Sequence, residues 1–136
     1  MSFHTYLFFT GTCRQAFTRY QEIFGGELEI LSSADAPPGE EMPPSDGEFV
    51  MHAALMVGDQ LLMGSDDPTS TQSTPVQGMM VNYAATDPEE AKRVFDALAE
   101  GGTVTMPLSE TFFSPAFGMC IDAFDKPWMV STNPAS

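Results

Sequence analysis

Two histidines, His4 and His52, are the imidazole side chains of this chain, the residue type most often used to move protons at neutral pH. Each could act as a metal ligand, a hydrogen-bonding group or a general base. A divalent ion of the Mn, Zn or Ni type wants three or more imidazole or carboxylate donors from the protein. His4 alone is therefore a weak metal candidate, and the expectation is that no metal and no cofactor is held. His52 lies in the apolar run FVMHAALMV, where Val50, His52 and Ala54 alternate with Met51, Ala53 and Leu55. It either faces a ligand as donor or base, or is satisfied by a neighbouring strand. Glu110, in SETFF, is an isolated carboxylate suited to a pocket rim. His52 and Glu110 are the catalytic candidates. Asp66-Asp67 could form a catalytic pair, but the following Pro68 reads as turn chemistry. Cys13 stands at a predicted helix start, where the helix dipole lowers a thiol pKa. It has no His nearby in sequence, so it reads as a small residue of the capping region.

Aromatic and methionine side chains are denser than the titratable ones. Phe112, Phe113, Phe117, Met119, Trp128 and Met129 crowd the second half, and Met51, Met56 and Met63 the first. Most belong to the core. The remainder suit a partly apolar or planar ligand gripped by stacking. The ligand-binding candidates are His4, Tyr6, His52, Phe112, Met119 and Trp128.

The elements that must position these residues occur twice. HTYLFFTGTCRQAFTRYQEIFGGELEIL (4–31) and MMVNYAATDPEEAKRVFDALAEGGTVTM (79–106) share few letters but the same punctuation. At a spacing of 75 residues, Thr12 falls on Asp87, Gln15 on Glu90, Ala16 on Ala91, Tyr20 on Phe95 and Ile23 on Leu98. Thr12 and Asp87 are good N-cap residues with Gln or Glu three places on, the capping-box pattern. Pro88 suits a first helical position, where its missing N–H costs nothing. Positions 16, 17, 20, 23 and 24 make one apolar helical stripe, and 91, 94, 95, 98 and 99 the other. Gly25-Gly26 and Gly101-Gly102 supply left-handed stops.

Strand-like runs flank each helix, at 3–9 and 27–32, and at 79–85 and 103–107. Two hairpin-like pairs follow, 49–57 with 60–65 around Gly58-Asp59, and 117–123 with 127–132 around Phe124-Asp125-Lys126. Each half reads as β-α-β-β-β. The expected fold is α+β in one domain, 1–136, with unit one at 1–67, a linker at 68–76 and unit two at 77–134. SADAPPGEEMPPSDGE (33–48) is rich in Pro and acid and reads as a mobile loop. One such unit has a sheet with a helix on one face only. Two units edge to edge can curl into a half-open, barrel-like cup, a natural small-molecule site.

The charge balance excludes some partners. Nineteen acidic residues face five basic ones, a net charge of −14. Phosphate backbones are bound by clustered Lys and Arg, so nucleic acid and anionic membrane are poor partners. No apolar run approaches the ~18 residues of a membrane span. The opening MSFHTYLFF has no basic flank or small-residue cleavage site. Cys13 and Cys120 lie far apart in sequence and read as reduced thiols of a cytoplasmic protein.

Paired βαβββ units resemble the vicinal oxygen chelate superfamily, also called the glyoxalase/bleomycin-resistance/dioxygenase fold. YLFFTGTCRQAFTRYQEIFGGE, MHAALMVGDQLLMGSDDP and FDALAEGGTVTMPLSETFFSPAFGMCIDAFDKPWMV look like its PhnB-like branch over nearly the whole chain. The superfamily includes isomerases, lyases, ring-cleaving dioxygenases, thiol transferases and metal-free antibiotic-binding proteins. Some relatives carry a demethylubiquinone methyltransferase label, but this sequence has no glycine-rich loop opening a cofactor-binding βαβ unit. The resemblance implies that metal-binding members draw ligands from the first and last strands of each unit. His4 stands at the first such place. The spacing of 75 carries it to Met79, with Met80 and Val81 beside it, and the closing strands offer Leu61, Leu62, Met63 and Trp128, Met129, Val130. The reading is a protein that binds a small, partly apolar molecule without a conventional metal site. The alternative is a metal-dependent lyase, isomerase or dioxygenase using His4, His52 and an acidic group. A dimer-interface scaffold is the third. The resemblance also implies a homodimer, with edge strands or Phe112 and Phe113 at its interface.

Overall fold

The computed structural model describes residues 1–32, 35, 49–67 and 76–132. The loop at 33–48, apart from Asp35, and most of the linker at 68–76 lie outside the described residues. Two compact units, Met1–Ser73 and Thr74–Ser136, divide the chain.

The first unit contains β1 (Thr5–Phe9), α1 (Cys13–Phe24), β2 (Glu27–Ser32), β3 (Val50–Val57) and β4 (Gln60–Asp66). Its sheet has the order β1-β4-β3-β2, with β1 parallel to β4 and the other neighbours antiparallel. The second unit repeats this with β5 (Val81–Ala85), α2 (Pro88–Ala99), β6 (Thr103–Ser109), β7 (Phe117–Ile121) and β8 (Pro127–Thr132), in the order β5-β8-β7-β6. Both sheets are open, each with two edge strands, and neither closes into a barrel. The α+β architecture is the expected one.

The helices coincide at the expected spacing, Cys13 with Pro88 and Phe24 with Ala99. Tyr20 (1% exposed) and Phe95 (4% exposed) are buried at matching positions. The stripes differ in detail, because Phe17 is buried in α1 and Val94 in α2, one helical face being slightly rotated against the other. The opening strands match at one residue more, Thr5 with Val81. The turn before α1 holds Thr10, Gly11 and Thr12, whereas the turn before α2 holds only Thr86 and Asp87. The counterpart of His4 is therefore Met80, not Met79.

Each helix covers one face of its own sheet. In the first unit that face carries Leu7, Phe9, Ala53, Leu55 and Gly64, all buried. The Phe9 and Phe17 rings meet edge-on at 6.0 Å, and a Cβ on Gly64 would strike the Phe17 ring at 2.8 Å. In the second unit Gly118 meets Phe95 in the same way, beside buried Trp128, Val130 and Cys120. The glycine pairs stop both helices, with positive φ at Gly25, Gly26 and Gly101. The second glycine of each pair has another duty. A Cβ there would lie 2.1 Å from the Met56 carbonyl oxygen at Gly26 and 2.0 Å from that of Ile121 at Gly102.

The helix starts diverge. Asp87 accepts the Glu90 N–H at 2.8 Å, one half of a capping box, while the Glu90 carboxylate reaches back one residue further, to the Thr86 N–H at 3.3 Å. Thr12 makes no side-chain cap bond. The Cys13 N–H instead donates to Asp66 Oδ1 at 3.0 Å. The expected capping box at Thr12 and Gln15 is thus replaced by a carboxylate from the end of β4. Asp66 is buried, and its Oδ2 also accepts the Val50 N–H at 2.9 Å. The aspartate read as turn chemistry fastens a helix and a strand to β4.

Candidate binding face

The site-forming residues of the first unit lie on the sheet face turned away from α1. Side chains alternate along β1, so Leu7 and Phe9 point to the helix and Tyr6 and Phe8 to the other side. In register, Tyr6 pairs with Met63 and Phe8 with Ser65 across the β1–β4 ladder, and Met63 pairs with Ala54 of β3. His52 pairs with Leu31 of β2, Ala54 with Glu29 and Met56 with Glu27. Directly paired residues share a face, so Glu27, Glu29 and Leu31 stand on the same side as His52. The alternation expected through Val50 breaks here. Between Leu31 and Ser32 the register slips by one residue, leaving Met51 over. This bulge turns Val50 into the core, where it is fully buried, and leaves His52 on the outer face.

Tyr6 and His52 come together on that face. β4 lies between their strands, with small Ser65 in register opposite Phe8. The Tyr6 hydroxyl and His52 Nδ1 are 3.2 Å apart and the two rings 5.8 Å apart. Phe8, 58% exposed, adds a third ring 5.2 Å from Tyr6. Phe8 is not among the sequence-derived candidates, though its even spacing from Tyr6 in β1 marks the shared face. His4 directly precedes β1 and is exposed, with Nε2 3.0 Å from the Ser2 hydroxyl. Among the described residues no three His, Cys, Asp or Glu side chains gather to hold an ion.

The second unit presents a different surface. Met119 pairs with Met129 and with Met106 on the face away from α2, and the Ser131 hydroxyl donates to Asn82 Oδ1 at 3.0 Å. Phe112, 100% exposed, meets Phe113 edge-on at 5.2 Å, and Phe113 meets Phe117 at 5.0 Å. Glu110 is exposed just beyond β6. Trp128 corrects the sequence expectation. It is 2% exposed on the helix-covered face, and its indole N–H donates to Asp122 Oδ2 at 2.8 Å, so it is a core residue and not a ligand-binding one. Asp122 also accepts the Phe124 and Lys126 N–H groups with Oδ1, which builds the turn between β7 and β8.

Tyr83, Glu90 and Cys120 have displaced proton equilibria. Burial, then hydrogen bonding to Glu90 and the charge of that carboxylate, push the Tyr83 hydroxyl up to about 12. The Thr86 hydroxyl and then the Tyr83 hydroxyl hold Glu90 below its ordinary value. Burial, followed by the nearby Asp122 carboxylate, pushes the Cys120 thiol up to about 11. Cys13 and Cys120 are both buried, and neither is in a disulfide. None of these groups lies on the Tyr6–His52 face.

A family model described as 3-demethylubiquinone-9 3-methyltransferase matches residues 1–131. The chain belongs to this PhnB-like family. Its relatives include YjdN of Escherichia coli, 32% identical over 96% of this chain and 95% of that one. The crystal structure of PA1353 from Pseudomonas aeruginosa is 39% identical, covers 98% of both chains and superimposes with a TM-score of 0.87. A PhnB protein from Bacillus cereus, described as a putative 3-demethylubiquinone-9 3-methyltransferase, is 27% identical over 97% of this chain and 99% of its own, with a TM-score of 0.75. Beyond the PhnB-like proteins, the fold is that of the glyoxalase/bleomycin-resistance superfamily. The fosfomycin resistance protein FosX of Listeria monocytogenes shares it at 10% identity over 98% of this chain and 93% of that one, with a TM-score of 0.65.

Proposed function

We propose that this PhnB-like protein binds a small, partly apolar molecule on the Tyr6–His52 face of its first sheet, without a conventional metal site. The observation that carries the reading is the Tyr6 hydroxyl 3.2 Å from His52 Nδ1, beside an exposed Phe8 ring. Apolar rings with a few placed polar atoms are the ordinary make-up of a small-molecule site. Among the described residues the donor chemistry does not fit a divalent ion. His4 has a serine hydroxyl on its Nε2, its counterpart Met80 offers only a thioether, and Met63 and Met129 stand in the closing strands. The methyl transfer named in the family description is not part of this reading. The turns that open α1 and α2 carry Thr-Gly-Thr and Thr-Asp, and neither is a glycine-rich loop that could grip a nucleotide-like cofactor.

The reading includes a homodimer, supported by the exposed rings of Phe112 and Phe113, and a cytoplasmic setting, supported by two cysteines outside any disulfide. Among the described residues no helix is long and apolar enough to cross a membrane. Native mass spectrometry of freshly purified protein tests all of this together. An organic molecule on a dimer is expected. A stoichiometric cation, with a melting temperature that falls on chelation and no longer does so in His4→Ala, would put a metal-dependent lyase, isomerase or dioxygenase first. A mass near 14.8 kDa, that of one chain, overturns the dimer.

A further inference from the structure

The bond between Tyr6 and His52 can hold its proton in two ways. The phenol can donate to Nδ1, or Nδ1–H can donate to the phenol oxygen. A phenol loses its proton near pH 10, whereas a neutral imidazole N–H is a far weaker acid and its bare nitrogen a good base. The phenol is therefore the donor and Nδ1 the acceptor. With Nδ1 bare, the single proton of the neutral ring sits on Nε2.

Two further features restrict what Nε2–H can meet. Glu27 and Glu29 share the face by strand register, and the chain carries a net charge of −14. An anion is repelled by that field. A cation is attracted at long range but meets an N–H donor at contact. Only an uncharged acceptor satisfies both. The rings of Tyr6 and Phe8, tilted 47° to each other, and the side chain of Met63 in register with Tyr6 offer an apolar surface beside it.

We propose that Tyr6 is a positioning residue that locks His52 as its Nε2–H tautomer, and that this donor selects an uncharged, largely apolar molecule bearing a carbonyl-type oxygen. The ligand half rests on the binding function proposed above; the tautomer half does not.

Ring-nitrogen NMR of the full chain at pH 8 tests the tautomer. Wild type should show His52 with a protonated Nε2 and a bare Nδ1. Tyr6→Phe keeps the ring and should show a mixture of the two forms. A protonated Nδ1 in wild type, or an unchanged spectrum in Tyr6→Phe, overturns the lock. Acetophenone, benzoate and ethylbenzene then serve as neutral acceptor, anion and acceptor-free probes. Acetophenone should move the Nε2–H signal and bind most tightly. Tyr6→Phe should weaken it about fivefold, the scale of one neutral hydrogen bond, and His52→Ala should weaken it at least as much. Benzoate binding as tightly overturns the selection against charge, and ethylbenzene doing so overturns the role of the donor. If no probe binds but native mass spectrometry shows another organic ligand, the ligand class fails alone. If neither binds, the binding function itself fails.

Discussion

Asp66 and Thr132 stand at the same place at the ends of β4 and β8 and hold the same neighbour with different atoms. Asp66 Oδ2 accepts the Val50 N–H at 2.9 Å, and Thr132 Oγ1 accepts the Ala116 N–H at 3.1 Å. The carboxylate has a second oxygen, which takes the first N–H of α1. Thr132 has no second oxygen, and α2 is capped by its own Asp87. Asp66→Asn should therefore destabilise the protein by about 1–3 kcal/mol, because an amide turns an NH₂ toward a buried N–H donor. Urea unfolding measures this, and a loss below about 0.5 kcal/mol would contradict the role given to Asp66.

Tyr20 and Phe95 fill corresponding places under the two sheets. Truncating either to Ala should cost about 3–5 kcal/mol, through lost burial and the cavity left behind. A small effect at one of them would mean that its half of the core collapses around the gap.

The glycine pairs separate two kinds of constraint. Gly25 has φ 75° with ψ −156°, a backbone region essentially reserved for glycine, and open space around its Cβ position, so Gly25→Ala should cost about 1–3 kcal/mol. Gly102 has no positive φ, yet a Cβ would overlap the Ile121 carbonyl. Gly102→Ala should cost more than Gly25→Ala, since backbone has to move. The reverse order in thermal melts would contradict this account.

Both thiols should be silent in the native state. Cys13 and Cys120 are buried, and Cys120 is pushed up to about 11, so little thiolate is available at neutral pH. An aromatic disulfide reagent at pH 8 should label no cysteine in native protein and two after unfolding. Rapid labelling before unfolding would contradict the burial.

The Tyr83–Glu90 pair shapes both ends of the pH–stability curve. The Tyr83 hydroxyl is raised to about 12, so its contribution is present below its ordinary value of 10.0 and is lost as pH climbs toward 12. Glu90 is lowered, so its contribution is present above its ordinary value of 4.5 and is lost as pH falls below that through the folded-state value. Tyr83→Phe should flatten the alkaline limb of a stability profile and remove one late tyrosine step, near pH 12, from an absorbance titration. Glu90→Gln should flatten the acid limb. Unchanged limbs in both variants would show that the pair carries no linkage.

Periodicity and punctuation revealed the elements because they are local properties. Helix stripes, Pro88 and the first glycine of each pair act within a few residues of themselves, and both helices fall where those marks put them. The failures were non-local. Thr12 looks like a cap until Asp66 arrives from another strand. Val50 and His52 look like neighbours on one face until the bulge at Met51 separates them. Trp128 looks like a ligand platform until β8 turns it toward α2 and Asp122 takes its N–H. Tyr6 and His52 were both named from sequence, but nothing in their spacing showed that the hydroxyl of one reaches the ring of the other.

The borrowed cap of α1 has a consequence in time. The carboxylate that receives its first N–H comes from 53 residues further along the chain, whereas α2 carries its own cap one residue upstream of Pro88. Closing the longer loop costs entropy before any contact rewards it. The two halves share an architecture but need not be built in the same order. α2 can nucleate as soon as its residues are free to turn, while the start of α1 must wait for β4. Kinetic φ-values should record this as a high value at Asp87 and a low one at Asp66. One fold, written twice in the chain, then assembles helix-first in its second copy and sheet-first in its first.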